Sequence, residues 1–388
     1  MRNVLMIMAF AALGGAALAP GTAAQDIRRG VGEWDPESGL GNHRAVVRAE
    51  SLTVPGTLAG RVSKTRPAVV TAEFSAAARA VRALIPWRRP DHEPEKKAVV
   101  VVDAATGARI TNVVVLSVSR ELGDIIFEPK TVPGDYYVYY MPYKSEGRKN
   151  YPNVRYDPPE ATAGPGWLAA IGLPPGKPAT LRPDALPRAA VVEIQSADEF
   201  SAFTPMEVTA TAAEKNALLR AHPDSPYFLF PEDRRLPIRM TDDIPLRWVL
   251  AGPAAPLKGE AARGEYFTFQ VGLWAARAAV DAAAVKVGDF RRSSPAGSDS
   301  AAAVPASAAT CFNTCGTGWD GANFTRTVSV ESGKVQALWC GLQVSRDTLS
   351  GVYEGTVTVV PKNLPPQSVT VSLRVNDDVL ADGGDGDP

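Results

Sequence analysis

The sequence KVQALWCGLQVSRDTLSGVYEGTVTVV, residues 334–360, decides the fold class. Apolar or small residues occupy every second position in each half of it. They are Leu338, Cys340, Leu342 and Val344 in the first half and Tyr353, Gly355, Val357 and Val359 in the second. This period of two is typical of half-buried strands. The stretch predicts two strands joined by a turn, which together close a β-sandwich.

The composition is that of an ordinary soluble globular protein. The 388 residues are 45% hydrophobic and 21% charged with a formal net charge of −1, which allows two or three domains. A balanced charge argues against nucleic acid as a partner, because nucleic-acid binding needs a basic surface. The 33 glycines and 33 prolines favour short strands and turns over long helices.

The N-terminus has the layout of a secretory signal peptide over residues 1–24. Arg2 precedes an apolar run at 4–18, and small residues at 22–24 offer a cleavage site before Gln25. A membrane anchor needs about 20 apolar residues, and this run is shorter. We therefore expect a secreted or periplasmic protein, without a membrane span after signal cleavage.

Turn-separated strand patterns predict a mainly β protein with two antiparallel β-sandwich domains. The first covers residues 27–156, with strands at 44–49, 98–103, 113–118, 124–127 and 136–140. The second covers residues 236–376, with strands at 246–250, 266–275, 285–287, 328–330, 335–344, 355–360 and 369–375. A Ser/Ala/Pro tract at 292–309 interrupts the second domain and is expected to be flexible.

Residues 157–235 are predicted to connect the two domains. Eight prolines between 157 and 190 argue against a regular helix or a central strand there. A strand follows at 191–194, and one short helix is expected within 205–220, where Thr211 and Glu214 form a capping-box pattern. The acidic tail at 377–388 is interpreted as an apparent truncation point.

The three cysteines predict one disulfide candidate. Cys311 and Cys315 flank a Phe-Asn-Thr loop and could pair in an oxidising compartment, whereas Cys340 lies on the apolar face of its strand and is expected to be an inert core thiol. The histidines are far apart and lack ligand spacing, so no metal site is predicted. No nucleophile elbow, phosphate loop or zinc-protease motif is present, so we assign no catalytic residue and no cofactor.

Aromatic residues in or beside loops give the candidate ligand surface. A glycan would stack its sugar faces on exposed rings, and the candidates are Trp87, Tyr143, Tyr151, Tyr156 and Trp167. The alternative is that these rings belong to the cores, with only their polar tips at the rim.

Several stretches together resemble the N-terminal region of large secreted proteins related to glycoside hydrolase family 123. They are residues 41–47 (GNHRAVV), 85–89 (IPWRR), 136–143 (YYVYYMPY), 230–234 (FPEDR), 263–272 (RGEYFTFQVG), 333–339 (GKVQALW) and 379–387 (VLADGGDGD). The resemblance covers most of the chain after the signal peptide and is most specific over residues 263–387.

This resemblance implies an accessory rather than a catalytic role. In that family a β-sandwich precedes a (β/α)8 barrel whose adjacent Asp-Glu pair releases terminal N-acetylgalactosamine with help from the substrate's own acetamido group. The Asp198-Glu199 dipeptide lies before the predicted second sandwich, so catalysis is not carried over to it.

We therefore expect a non-catalytic N-terminal module of a secreted glycoside hydrolase-like protein whose C-terminal catalytic barrel is missing. Two alternatives remain open. One is a free-standing carbohydrate- or protein-binding sandwich, and the other is a truncated record of an N-acetyl-β-galactosaminidase-like enzyme.

Overall fold

The computed structural model describes residues 27–50, 80–148, 151–203, 205–293 and 302–381. The predicted signal peptide and most of the acidic tail lie outside these ranges. Within them the protein is mainly β, as predicted. The strands are β1 (Arg28–Val31), β2 (His43–Ala49), β3 (Val81–Ile85), β4 (Val100–Asp103), β5 (Arg109–Ile110), β6 (Val113–Val118), β7 (Gly123–Phe127), β8 (Gly134–Tyr139), β9 (Tyr143–Arg148), β10 (Tyr151–Tyr156), β11 (Arg188–Ser196), β12 (Phe228–Asp233), β13 (Leu257–Arg263), β14 (Tyr266–Trp274), β15 (Val280–Val287), β16 (Phe290–Arg292), β17 (Ala303–Val304), β18 (Ala309–Cys311), β19 (Cys315–Thr317), β20 (Asn323–Thr325), β21 (Val328–Val330), β22 (Val335–Gln343), β23 (Gly351–Val360) and β24 (Gln367–Val379). The α-helices are α1 (Pro165–Ala170), α2 (Ala212–Ala221) and α3 (Leu246–Ala251).

The first β-domain is one continuous, bent path of strands in the order β5-β4-β8-β2-β11-β3-β7-β6, with β1 beside β11. Its two arms face each other across a core that includes Val47, Val81, Ile125 and Val138. Inward and outward residues alternate along β3, as expected for a strand with one face in a core.

β11 joins the two arms of this domain. Its first residues pair with β3 in parallel, and the residues after them pair with β2 in the antiparallel sense and with β1 in parallel. The sequence indicated a strand here, but within the connecting segment 157–235 and after a run of prolines. A strand so far along the chain thus completes the sheet that begins at β1.

The second β-domain is a sandwich of two sheets. One sheet has the order β12-β14-β22-β18, and the other has the order β13-β24-β23-β15-β21. The alternating residues of 334–360 point into the core between them, and Leu338, Cys340, Val357 and Val359 have no exposed surface. β22 and β23 lie in opposite sheets, so the turn between them crosses from one layer to the other. This crossing confirms that the stretch closes a sandwich.

The predicted helix is confirmed as α2. Thr211 accepts a hydrogen bond from the Glu214 amide, and the Glu214 carboxylate accepts one from the Thr211 amide, which completes the capping box. Each partner satisfies an amide that the first turn of a helix would otherwise leave unpaired.

Two local predictions were wrong. Residues 246–250 form helix α3 rather than a strand, because Trp248 packs flat on Phe230 with ring centroids 4.6 Å apart and so binds this turn to the outside of β12. A short apolar run cannot by itself distinguish a strand from a buried helical turn. Helix α1 lies inside the proline-rich segment, because Pro165 occupies its first turn, where a missing amide costs nothing.

The Ser/Ala/Pro tract is ordered in its described part. β17 lies within it and pairs with β16, and Val304 is buried in the core of the second β-domain. Burial of this side chain offsets the entropy lost by ordering a segment of low sequence complexity. Residues 294–301 lie outside the described residues.

Charged side chains join the first β-domain to the α2 region. Arg88 makes a two-pronged pair with Glu214 at 2.7 and 2.8 Å, and Arg120 contacts Asp243 at 2.5 Å. In addition, Glu121 accepts a hydrogen bond from the Ala212 amide at 2.6 Å.

In the described part of the chain, no helix is long and apolar enough to cross a membrane.

Candidate functional site

The five aromatic candidates fall into two groups. Trp87 is fully buried, donates from Nε1 to the Ser119 carbonyl at 2.8 Å, and packs on Tyr140 with ring centroids 5.0 Å apart. Trp167 is also buried, in α1, where it packs against Ile126. Neither indole has an open face, so both rings serve the cores and not a ligand surface in this structure.

The other three candidates lie on one hairpin. β9 and β10 form a two-stranded antiparallel ribbon in which Tyr143 is directly opposite Tyr156. Their rings meet edge to face, with centroids 6.1 Å apart. Tyr156 is 41% exposed, and Tyr151 at the start of β10 is 85% exposed. Because successive side chains of a strand point to opposite faces, Tyr151 and Tyr156 project from opposite faces of the ribbon.

Contacts to the first β-domain hold the Tyr143–Tyr156 pair in place. The Tyr143 hydroxyl donates to Asn42 Oδ1 at 3.0 Å. The Lys97 ammonium lies 4.4 Å from the centroid of the Tyr156 ring, a cation–π contact that fixes one face of this ring. The edge of the Tyr156 ring away from Lys97 remains open to solvent. Burial raises the pKa of Tyr156, so its hydroxyl stays neutral and can both donate and accept hydrogen bonds.

A buried charge network lies directly behind this pair. Asp91 receives two hydrogen bonds from Arg89, at 2.5 and 2.6 Å, and a third from Lys97. Burial alone would raise the pKa of Asp91, but the Arg89 guanidinium and the Lys97 ammonium hold it below its usual value. Arg89 has no exposed surface. The network therefore holds Lys97 in position over Tyr156.

A groove of about 590 Å³ adjoins the hairpin. Lys97 contacts Tyr156 of the hairpin and also lines the groove, together with apolar side chains such as Val115 and Leu168. Arg109 and Glu160 pair at 3.3 Å on its rim. A sugar or a short chain of sugars would meet apolar side chains and a charged pair in the groove, and an exposed ring edge on the hairpin beside it.

Three of the four carboxylates in the adjacent pairs Asp198-Glu199 and Asp242-Asp243 have structural partners. Asp198 accepts a hydrogen bond from the Ser201 amide at 2.6 Å, which closes a turn, and Glu199 is exposed beside it. Asp242 pairs with Lys334, whereas Asp243 pairs with Arg120 and Lys215. Neither carboxylate pair lies at the Tyr143–Tyr156 ring pair or lines the groove beside the hairpin.

His43 is likewise held by the fold. Its ring stacks on Phe203 with centroids 4.4 Å apart, and Nε2 lies 2.9 Å from the Ser201 carbonyl. Burial lowers the pKa of His43 to about 4, so the ring is neutral at ordinary pH. A neutral ring hydrogen-bonded to a backbone carbonyl anchors the segment after β11 to β2.

The three thiols are unbridged in the structure. The Cys315 thiol contacts the Cys311 carbonyl at 3.6 Å, and Cys311 lies opposite Cys340 on the neighbouring strand. The proposed Cys311–Cys315 bridge stays a prediction. Among the described residues, no group of three or more His, Cys, Asp or Glu side chains is placed to hold a metal ion.

Sequence reasoning identified the tyrosines but missed the groups that frame them. Lys97 and Asn42 reach the ring pair only because β4, β2 and the hairpin adjoin in space. No spacing in the sequence signals this. Asp91, four residues after Trp87, is connected to the hairpin through Lys97.

Residues 32–197 match the family model "Glycoside hydrolase 123, N-terminal domain". The chain therefore contains a domain similar to the N-terminal domain of that family, and this domain is the first β-domain together with the segment up to β11. The match stops before residues 263–387, where the resemblance in the sequence is most specific. Placing the second β-domain in the same family stays a prediction. No curated protein matches the chain.

Similarities to solved structures are weak. A family 123 glycoside hydrolase from Clostridium perfringens, studied for glycolipid glycan hydrolysis, aligns at 13% identity and a TM-score of 0.26, over 32% of this chain and 23% of that one. The PapD-like domain 7 of human CEP192 aligns at 12% identity and a TM-score of 0.23, over 39% of this chain and 89% of that domain. The chain thus spans about a quarter of the length of the family 123 enzyme, and scores this low carry no argument about function.

Proposed function

We propose that this protein is a non-catalytic β-module of a secreted or periplasmic glycoside hydrolase-like protein, acting beside a catalytic domain of the family 123 type. The match of residues 32–197 to the N-terminal domain of that family carries the proposal. The signal-like N-terminus supports export. Two observations are compatible with a supporting role: Asp198 closes a turn, and the Asp242 and Asp243 carboxylates are paired with cations.

The chemistry of the family explains why such a module would not cleave glycosides by itself. Substrate-assisted hydrolysis needs an acid beside the leaving oxygen and a second carboxylate that orients the acetamido group. In this chain the only adjacent Asp-Glu dipeptide has its Asp engaged with a backbone amide. An assay of the purified chain on aryl glycosides is expected to show no turnover.

A second function, glycan binding, is favoured by the hairpin β9–β10. Tyr156 offers a ring edge and a neutral hydroxyl, Lys97 offers a fixed ammonium, and a groove with an apolar floor continues beside them. Stacking of a sugar on an aromatic ring combines apolar burial with hydrogen bonds at the rim. The partner in this case is a glycan, and the hairpin is the contact surface.

Glycan binding is tested by titrating oligosaccharides that end in N-acetylgalactosamine into the purified chain and recording the heat. Wild-type protein is expected to bind weakly, and Tyr156→Ala is expected to lose most of that binding. Tyr151→Ala is the matched control for the opposite face of the same strand. Equal binding by wild type and Tyr156→Ala would remove the hairpin face from the proposal. The accessory role would be unaffected, because it rests on the family match and is tested by the hydrolysis assay.

A further inference from the structure

The strand pairing places two cysteines face to face in the core of the second β-domain. β18 and β22 run antiparallel, and Cys311 is directly opposite Cys340. The next pair along the ladder is joined by a backbone hydrogen bond from the Phe312 amide to the Trp339 carbonyl at 2.9 Å. Hydrogen-bonded and non-hydrogen-bonded pairs alternate along an antiparallel ladder, so the cysteine pair is of the non-hydrogen-bonded kind.

That position brings the side chains close enough for a covalent bond. Cα atoms of a non-hydrogen-bonded pair are about 4.5 Å apart. Disulfides span Cα separations of roughly 4.4 to 6.8 Å, so the pair lies within this range without movement of the backbone. The proximity of the two thiols lowers the pKa of Cys311 and raises that of Cys340.

Cys315 occupies a different position. It begins β19, beyond the Phe-Asn-Thr loop, and is half-buried. Its thiol contacts the backbone carbonyl of Cys311 and not the Cys311 sulfur. Closeness in sequence therefore favours a disulfide between Cys311 and Cys315, whereas the sheet register favours one between Cys311 and Cys340.

We propose that Cys311 and Cys340 form a cross-strand disulfide and that Cys315 remains the free thiol. The bond would fasten β18, a three-residue strand at the edge of its sheet, to the central strand β22. A strand of this length makes few ladder hydrogen bonds, so a covalent link would contribute much of what keeps it in place. The link also holds the segment that carries the β19–β20 hairpin against the sandwich.

The bond forms by thiol–disulfide exchange with a small disulfide such as oxidised glutathione. The Cys311 thiolate attacks one sulfur of the oxidant and releases one glutathione thiolate, which leaves a mixed disulfide on Cys311. The Cys340 thiolate then attacks the Cys311 sulfur and releases the second glutathione. The two cysteine protons pass through solvent to the two released glutathione thiolates, so one glutathione disulfide is reduced to two thiols as the two cysteines are oxidised to a disulfide.

Local chemistry supports Cys311 as the attacking group. The neighbouring Cys340 thiol, together with polar groups of the loop after Cys311, lowers the pKa of Cys311 to about 6 although burial opposes this. The thiolate is the nucleophilic form of cysteine. Both sulfurs are buried, so exchange requires the short edge strand to open, as weakly held edges do.

The test uses the purified mature chain, reduced and then incubated with oxidised glutathione. Remaining thiols are alkylated, and the protein is digested with trypsin and analysed by mass spectrometry. Cleavage after Arg292, Arg326, Lys334 and Arg346 places Cys311 and Cys315 together in peptide 293–326 and Cys340 in peptide 335–346. A Cys311–Cys340 bond therefore links two peptides, whereas a Cys311–Cys315 bond lies within one.

We expect the two peptides to be linked in the wild type and equally in Cys315→Ser, and unlinked in Cys311→Ser. The oxidised wild type should melt several degrees above the reduced protein, and Cys315→Ser should show the same difference. A bond within peptide 293–326, a link that Cys315→Ser abolishes, or three alkylated thiols after oxidation would each overturn the proposal. The comparison of wild type with Cys315→Ser decides the result even if the variants at the buried positions do not fold.

Discussion

The two β-domains are held together by different means. The core between the two sheets of the second is formed by apolar side chains from strands that alternate regularly, such as β14, β22 and β23. The buried Glu232 of this domain lies outside that core, where Trp248 donates a hydrogen bond to it. The first buries charged groups as well, among them Arg44, Arg89 and Asp103. A buried charge is tolerated only with its partners in place, so the first domain depends on specific contacts where the second depends on burial. The difference predicts different responses to substitution.

The largest effect is expected in the apolar core. Phe269 in β14 is buried, and its ring stacks on Phe267 with centroids 5.8 Å apart. Phe269→Ala removes this burial and leaves a cavity, which should lower the free energy of unfolding by about 3–5 kcal/mol. Chemical denaturation measures the change. Phe200→Ala, at a ring that is 98% exposed, is the control and should change stability by less than about 0.5 kcal/mol.

The next effect concerns pH and the first β-domain. The pKa of His43 falls from 6.5 to about 4 on folding, so the unfolded chain takes up a proton between these values and the folded chain does not. Unfolding should therefore become easier as the pH falls from 6.5 to 4, by roughly 3 kcal/mol from this group. His43→Phe keeps a ring on Phe203 and should flatten the slope of stability against pH in this window.

The exposed His92 provides the control for this pH dependence. His92→Gln should leave the slope unchanged when unfolding is followed by denaturant titration at a series of pH values. An equal slope in wild type and His43→Phe would show that His43 does not cause it.

A stacked cation in the first β-domain should have a somewhat smaller effect. The Arg44 guanidinium lies between the rings of Trp34, at 4.2 Å, and Tyr137, at 3.6 Å, and donates to Gln195 and Tyr139. A lysine keeps the charge but loses the flat stack and the forked donors. Arg44→Lys should cost about 2 kcal/mol, given the usual size of desolvated cation–π contacts. The exposed Arg291→Lys is its control, and equal losses in the two variants would contradict a special role for the stack.

The smallest effect is expected at the contact between the first β-domain and α2. Glu214→Gln leaves Arg88 without its charged partner and weakens the capping box. We expect a loss of about 1 kcal/mol, because Glu214 is partly exposed and solvent screens the pair. Calorimetry should also show the two domains melting further apart. Glu95→Gln, at an exposed carboxylate, should preserve the wild-type transition.

The same difference explains how much could be predicted from the sequence. Alternation along 334–360 predicted both strands and the buried faces of the second domain, because apolar burial leaves a periodic mark in the sequence. β11 could be seen as a strand, but not as the one that joins the two arms of the first domain, because pairing with β1, β2 and β3 is set by tertiary contacts. Helix α3 was missed for a related reason, since the packing of Trp248 on Phe230 overrides the local pattern.

The candidate site shows the same limit. Tyr143, Tyr151 and Tyr156 were identified by residue type and by their position beside loops. Trp87 was grouped with them because it was placed in or beside a loop, yet the chain turns this ring inward over Gly123, whose missing side chain makes room for it. Whether a ring in a loop faces solvent depends on the neighbouring strand, which the local sequence does not specify.

We propose that this chain supports glycoside chemistry without performing it. The most direct measurement is the release of a chromogenic group from an aryl N-acetyl-β-galactosaminide by purified residues 25–388. We expect no release above the enzyme-free rate, and the same result for Asp198→Asn and Glu199→Gln. Turnover that persists through purification and is lost in either variant would contradict the account, because it would place the catalytic pair at a turn to which we assign a structural role.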